Sequence, residues 1–390
     1  MNKFDIQNFI NPTVSNMPPS GIRKFFDIVN TMEDAISLGV GEPDFVTPWH
    51  IRDAGVYSLE KGQTYYTSNS GLLELREEIC RYLTKFDLSY SPDEVLVTVG
   101  GSEAIDLVMR TVLSPGDEVI IPEPSFVCYK PCTVLAGGVP VTIQTKAKNA
   151  FKLTPEELLE KITDRTKLLV LSYPNNPTGA IMNREDLEKI AKIAIDKNIM
   201  ILSDEIYAEL TYQGKHVSIA SLPGMRERTI VVNGFSKAFA MTGWRLGFVT
   251  AHKALTKQLT KVHQYAIMSS PTTSQYAAIE ALKNGEESIR AMVNEYNDRR
   301  KVITDAFNKM GYTCFSPLGA FYIFPCIKSS GLSSEEFCEK LLMEQKVALV
   351  PGTAFGESGE GFVRVSYAYS IKQISSALER IEKFANKIKG

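Results

Sequence analysis

Histidine, cysteine and tryptophan are scarce in this chain of 390 residues, which has four, six and two of them. Each shortage removes a class of function. His50, His216, His252 and His263 are scattered with no HExxH-like pairing, so no histidine-built metal site is expected. Cys80, Cys128, Cys132, Cys314, Cys326 and Cys338 are too few for a disulfide framework at this length and lack paired zinc spacing; they read as reduced core residues. Cys128 and Cys132 fall one helical turn apart, but neither a histidine nor a second cysteine pair accompanies them. Neither sign of charge dominates, since 43 Lys and Arg against 45 Asp and Glu leave a formal charge of -2. Nucleic acid is therefore not an expected ligand. No apolar run approaches a membrane span and the opening MNKFDIQNFINPTV has no signal-peptide core, so a cytoplasmic protein with no membrane partner is expected. There is no internal repeat and no low-complexity linker, and no DNA-binding head is expected before the domain. A GxGxxG after a strand is also missing, which argues against an NAD-linked oxidoreductase.

What the chain does have is a regular alternation. Short β-branched runs recur at EVLVTVGG (94–101), DEVIIPEP (117–124), KLLVLSYP (167–174), NIMILSDE (198–205), RTIVVNGFS (228–236) and LGFVTA (246–251). Between several of them lie amphipathic stretches such as SEAIDLVMRTVL (102–113) and REDLEKIAKIAIDKN (184–198), whose apolar residues recur at three and four. Apolar strands alternating with helices predict an α/β fold with a mostly parallel sheet covered on both faces. The last hundred residues differ: a polar helix from about Glu286 to Met310, then GAFYIFPCI, a helix near SSEEFCEKLLMEQ, VALVPG, FVRVSYA and a final amphipathic helix. These predict a smaller α+β domain at 286–390, after a large domain at 41–285. Residues 1–40 are expected to pack on the small domain or on a second subunit.

Ligands of open α/β sheets bind beyond the carboxyl ends of the strands, and unusual polar clusters stand there. GGSEA (100–104) opens a helix, so the N–H groups of Gly101 and Ser102, the serine hydroxyl and the helix dipole offer an anion site, although the same residues would serve as a plain cap. NNPTG (175–179) ends another strand, and SDEIY (203–207) presents Asp204 and Tyr207 after the next. In VNGFSKAFAMTGWRLGF (232–248) a single lysine, Lys237, sits among small and aromatic residues, eight places before Arg245. An amine in apolar surroundings needs a use, because burying an unpaired ammonium costs several kcal/mol as an order of magnitude. An amine at Lys237, a carboxylate at Asp204, a phenol at Tyr207, an amide at Asn176, a guanidinium at Arg245 and a phosphate cradle at Gly101 and Ser102 together match what pyridoxal 5'-phosphate requires. Its aldehyde needs an amine, its phosphate needs N–H groups and a cation, and its pyridine nitrogen needs a carboxylate to hold the proton.

These motifs carry a family resemblance from roughly Ser20 to the C-terminus. The sequence resembles fold-type I pyridoxal phosphate enzymes of the class I/II aminotransferase family: GFSKAFAMTGWRLG (234–247) matches the family's cofactor-attachment signature, with NNPTG, SDEIY and FVRVSYA in the expected order. SGIRKFF, SYPNNPTG, LTY and GAFYIFP are most similar to the subgroup of aspartate, aromatic and N-acetyl-diaminopimelate aminotransferases. The resemblance implies a seven-stranded sheet, a mobile small domain and a homodimer with active sites at the interface. It implies that Lys237 is the Schiff-base lysine, Asp204 the partner of the pyridine nitrogen, and Tyr207 and Asn176 the donors to the phenolic oxygen. Phe126 would stack on the cofactor, Gly41 would approach the substrate carboxylate with its backbone, and Tyr66 would reach the neighbouring subunit's phosphate. Arg364, an Arg between apolar strand residues, would grip the substrate's α-carboxylate through a bidentate fork. Where the family often carries Ser or Thr this chain has Gly234, leaving Ser236 as the nearer hydroxyl. Ser102 stands where aspartate-specific members can carry a lysine, which speaks against aspartate specificity. The expected activity is amino transfer from an L-amino acid to a 2-oxo acid such as 2-oxoglutarate, with C–S lyase chemistry as the alternative from the same residues.

Overall fold

Leu168 and Val170 point to one side of a single strand and Leu169 and Leu171 to the other, and all four are buried. A strand covered on both faces belongs at the centre of an α/β layer structure. Seven strands make this sheet: β1 (Val95–Thr98), β2 (Glu118–Glu123), β3 (Val139–Gln144), β4 (Thr166–Ser172), β5 (Met200–Asp204), β6 (Thr229–Gly234) and β7 (Gly247–Thr250). Their order is β1-β7-β6-β5-β4-β2-β3. Only β7 runs against its neighbours. The structure, a computed structural model, describes residues 4–19, 21 and 32–389. The resemblance-bearing SGIRKFF therefore lies, apart from Gly21, outside the described residues.

Six of the strands fall on the apolar runs singled out above. The seventh, β3, was not marked by such a run because it is a half-exposed edge strand: Val139 and Gln144 are exposed and only Ile143 is buried, so it needs no continuous apolar character, whereas β1, at the other edge, is buried along its length. Helix α1 (Gly100–Val112) covers one face, burying Ala104, Ile105 and Val108 against Val170, Leu202 and Val232. Helix α2 (Arg184–Asp196) covers the other with Leu187, Ile190 and Ala194, and begins with a capping box between Asn183 and Asp186. Each such buried Leu or Ile contributes about 1.5–3 kcal/mol.

The C-terminal residues form the expected smaller α+β assembly. Helices α3 (Glu286–Lys309) and α4 (Ile371–Lys389) accompany a three-stranded antiparallel sheet of β8 (Tyr322–Ile323), β9 (Val350–Pro351) and β10 (Val363–Ser366), in the order β9-β10-β8. Residues Ile36–Ser37 pair in parallel with Val347–Ala348, which fixes this part of the N-terminal segment to the small assembly. All six cysteines are free, but only Cys314 and Cys338 are buried; the other four are half-buried rather than core. Among the described residues no group of three His, Cys, Asp or Glu could hold a metal ion, and no helix is long and apolar enough to cross a membrane.

Candidate active site

Strand register sets the first part of the site. At the carboxyl end of β5, Asp204 pairs with Ser172 of β4 and Val232 of β6, so its side chain leaves the sheet beside the loops that follow β4 and β6. The loop after β4 is NNPTG. Asn175 shapes it from within, its Oδ1 accepting from the Thr178 N–H at 3.1 Å and the Thr178 hydroxyl at 2.8 Å. Asn176 is thereby turned outward into a cavity of about 510 Å³.

That cavity gathers the residues singled out in the sequence. Gly41, Gly101, Ser102, Phe126, Asn176, Asp204, Tyr207, Ser236, Lys237, Arg245 and Arg364 all line it. Tyr66 does not: it is 80 % exposed and stands away from the cavity of its own chain.

Lys237 follows β6 and donates from Nζ to the Gly41 carbonyl at 2.5 Å. Burial of the amine lowers its pKa to about 8; Glu42 opposes this, Arg364 and Arg245 add to it, and Asp204 opposes it. Asp204 is buried. Its Oδ2 accepts from the Tyr129 hydroxyl at 2.6 Å and its Oδ1 from the Ile206 N–H at 3.2 Å. Burial pushes its carboxyl above the ordinary range, and those two donors pull it back.

The first turn of α1 bears on the two meanings of GGSEA. Its N-cap residue is Val99, which has no capping side chain; the Glu103 carboxylate folds back to the Val99 N–H, and no side chain among the described residues takes the N–H groups of Gly101 and Ser102. The N–H groups of this turn thus remain available beside the dipole's positive end. Gly100 has φ +80, and a side chain there would meet Nη2 of Arg245 at 2.7 Å, so the guanidinium lies directly against the helix start. Arg245 itself takes φ 54, and Ala240 of the same segment φ 52; left-handed backbone at non-glycine residues is strain of the kind that gathers at functional sites. Gly234 is explained by packing: a Cβ there would lie 2.9 Å from the Gly247 Cα on β7. It does not line the cavity, whereas the buried Ser236 does.

Arg364, on β10, is 2 % exposed. Its Nη1 donates to Asn176 Oδ1 at 2.9 Å and its Nη2 to the Gly39 carbonyl. Its Nε is buried without a partner, and no carboxylate among the described residues pairs with it. Withdrawal from water lowers its pKa.

Several lining residues were not singled out in the sequence, among them Tyr129, Tyr322 and Glu42. Tyr129 is the donor to Asp204, Tyr322 places its hydroxyl 2.7 Å from that of Tyr207, and Glu42 accepts from the Thr242 hydroxyl at 3.2 Å. Spacing could have flagged only Tyr129, which lies three residues after Phe126.

A lysine amine, a buried carboxylate, an uncapped helix start with a guanidinium against it and a second, unpaired guanidinium are a donor set that fits pyridoxal phosphate and an amino-acid carboxylate together. The family described as "Aminotransferase class I and II" matches residues 33–381. YugH of Bacillus subtilis is 53% identical over 382 residues, covering 97% of this chain and 99% of that protein. The aspartate aminotransferase of Pyrococcus abyssi is 47% identical over 370 residues, or 94% and 95% of the two chains. The crystal structure of the aromatic aminotransferase from Pyrococcus horikoshii superposes with a TM-score of 0.90 at 44% identity, covering 94% of this chain and 99% of that one. The chain is a transaminase and belongs to the class I and II aminotransferase family, whose members depend on pyridoxal phosphate.

Proposed function

We propose that this transaminase holds pyridoxal 5'-phosphate in the cavity described above and moves an amino group from an L-amino acid to a 2-oxo acid, 2-oxoglutarate by preference, in a ping-pong cycle. The observation that carries this reading is that the buried, unpaired Arg364 and the Lys237 amine face one cavity. When bound, the cofactor supplies an aldehyde carbon that exchanges its oxygen for nitrogen and a ring that accepts the electron pair released at the substrate's Cα. Lys237 would hold that aldehyde carbon through Nζ, and the same Nζ, when free, would be the base for the proton on the substrate's Cα. The lowered pKa of Lys237 keeps a useful fraction of the amine unprotonated near neutrality.

The other residues orient and hold charge. Asp204 pairs with the ring nitrogen's proton, and Tyr129 fixes the Asp204 carboxylate. Tyr207 and Asn176 donate to the phenolic oxygen, and Phe126 lies against the ring. The N–H groups of Gly101 and Ser102, the Ser236 hydroxyl and the Arg245 guanidinium receive the phosphate. Arg364 takes the α-carboxylate, with Gly41 allowing its close approach.

We assign residues 1–40, 41–285 and 286–390 to an N-terminal segment, a large cofactor domain and a small domain of a cytoplasmic homodimer. The exposed aromatics Trp49, Tyr65, Tyr66 and Tyr265 support a subunit interface, from which Tyr66 would serve the partner subunit's phosphate. The donor is of aspartate, aromatic or N-acetyl-diaminopimelate type, and the C–S lyase alternative gains no support from the relatives. Steady-state kinetics with aspartate, tyrosine, phenylalanine, alanine and N-acetyl-diaminopimelate donors, beside cystathionine assayed for pyruvate, test the reading. Amino transfer with one class of donor is expected. Pyruvate release outpacing transfer to every oxo acid would overturn it.

A further inference from the structure

Tyr322 touches three of the groups to which roles are given above. Its ring, on β8, stacks against the Arg364 guanidinium at 4.6 Å, and Phe355 also packs against that guanidinium, at 4.7 Å. Its hydroxyl lies 2.7 Å from the Tyr207 hydroxyl. The same oxygen fills the space that a side chain on Gly41 would need, and Gly41 is the residue whose carbonyl receives the Lys237 amine. Tyr322 is fully buried.

In a pair of phenols one hydroxyl donates and the other accepts. A donor to the cofactor's phenolic oxygen must keep its own proton for that oxygen, so Tyr207 is left to accept from Tyr322. Accepting a hydrogen bond polarises a hydroxyl and strengthens it as a donor. A guanidinium against the ring of Tyr322 pulls electron density from its oxygen and strengthens the first bond of the chain.

We infer that Tyr322 is a positioning residue that ties the carboxylate-gripping Arg364 to the donor strength of Tyr207, so that the substrate's carboxylate and the cofactor's phenolic oxygen are held by one connected unit. The inference rests on the assignment of Tyr207 to that oxygen. Its sign follows from the charge: Tyr207 stabilises the phenolic oxygen in its anionic form, so a weaker Tyr207 raises the pH at which the chromophore ionises.

The test is a pH titration of the visible absorbance of the cofactor-loaded protein for the parent, Tyr322→Phe, Tyr207→Phe and the double variant. Phenylalanine keeps the ring against Arg364 and removes only the hydroxyl. Tyr322→Phe should move the midpoint up by about half to one pH unit, the size of one neutral hydrogen bond. Tyr207→Phe should move it further, and the double variant no further than Tyr207→Phe. A midpoint unmoved in Tyr322→Phe but raised in Tyr207→Phe overturns the coupling and leaves the role of Tyr207 standing. A midpoint unmoved in Tyr207→Phe overturns that role and the coupling with it. Additive shifts would mean that the two hydroxyls act separately, which also overturns it. The Arg364 half is read from Tyr322→Leu, which removes the ring: KM for amino acid and oxo acid should rise roughly 2- to 30-fold above that of Tyr322→Phe, the range of a stacked cation, and equal KM values in the two variants would overturn it.

Discussion

Replacing Arg364 by alanine should remove the grip on the α-carboxylate while leaving the cofactor in place. The magnitude follows from the surroundings of the guanidinium. It is buried, held by Asn176 Oδ1 and the Gly39 carbonyl, flanked by the Tyr322 and Phe355 rings, and left with a free Nε. A carboxylate arriving there meets a desolvated, pre-oriented fork. Loss of one partner of such a buried charged pair costs about 2–5 kcal/mol, which corresponds to a fall in kcat/KM of roughly 30- to 5,000-fold. Arg364→Lys keeps the charge but not the planar fork and should fall between the parent and Arg364→Ala for every amino-acid and oxo-acid substrate. The assay compares kcat/KM for one amino acid and for its decarboxylated amine in parent and variant. The amino acid should lose most of its advantage and the amine should react no worse. An equal fall for both would show that Arg364 supports the fold and not the substrate.

Asp204→Asn should retain the fold and lose about a thousandfold in kcat, since an amide cannot hold the pyridine proton and the charge is assigned about 4 kcal/mol of transition-state stabilisation; a near-normal kcat would remove Asp204 from that role. Tyr129→Phe deletes the 2.6 Å donor to the Asp204 carboxylate and should lower kcat/KM roughly 10- to 150-fold, the range for a hydrogen bond to a charged group; unchanged kinetics would mean that Asp204 needs no support. In the cofactor-free protein, the amine of Lys237 has a folded pKa of about 8 against an ordinary value of 10.5, so between those pH values the unfolded chain binds more protons and stability rises with pH. Lys237→Met should therefore be more stable than the parent by about 3 kcal/mol at pH 7 and lose that advantage by pH 10.5, as measured by urea unfolding; a constant difference across that window would refute the burial of the amine.

The central strands were legible because burial on both faces leaves continuous apolar runs, as in KLLVLSYP, whereas the half-exposed edge strand β3 carries no such signal. The site was legible where chemistry is out of place: a lysine among small residues, a carboxylate and a phenol after a strand, an Arg between valines at Arg364. Tyr129 and Tyr322 were not, because an aromatic residue within a helix or strand is ordinary core until the fold shows what its hydroxyl meets. Gly234 reads in sequence as a missing hydroxyl; packing against Gly247 gives its reason, which depends on a pairing of β6 with β7 that no local pattern displays. GGSEA could be a cap or an anion site in sequence; Ser102 is not the N-cap residue of α1, which is Val99, and this favours the second.

The claim that Lys237 both anchors the cofactor and moves the proton is tested most directly by borohydride reduction of the cofactor-loaded protein, followed by peptide mass mapping, in the parent and in Lys237→Ala. The account predicts that the added mass of the reduced cofactor falls on the peptide containing Lys237, and that Lys237→Ala loses both the label and transamination. A label on another lysine, or amino transfer persisting in the variant at a rate near the parent's, would contradict it.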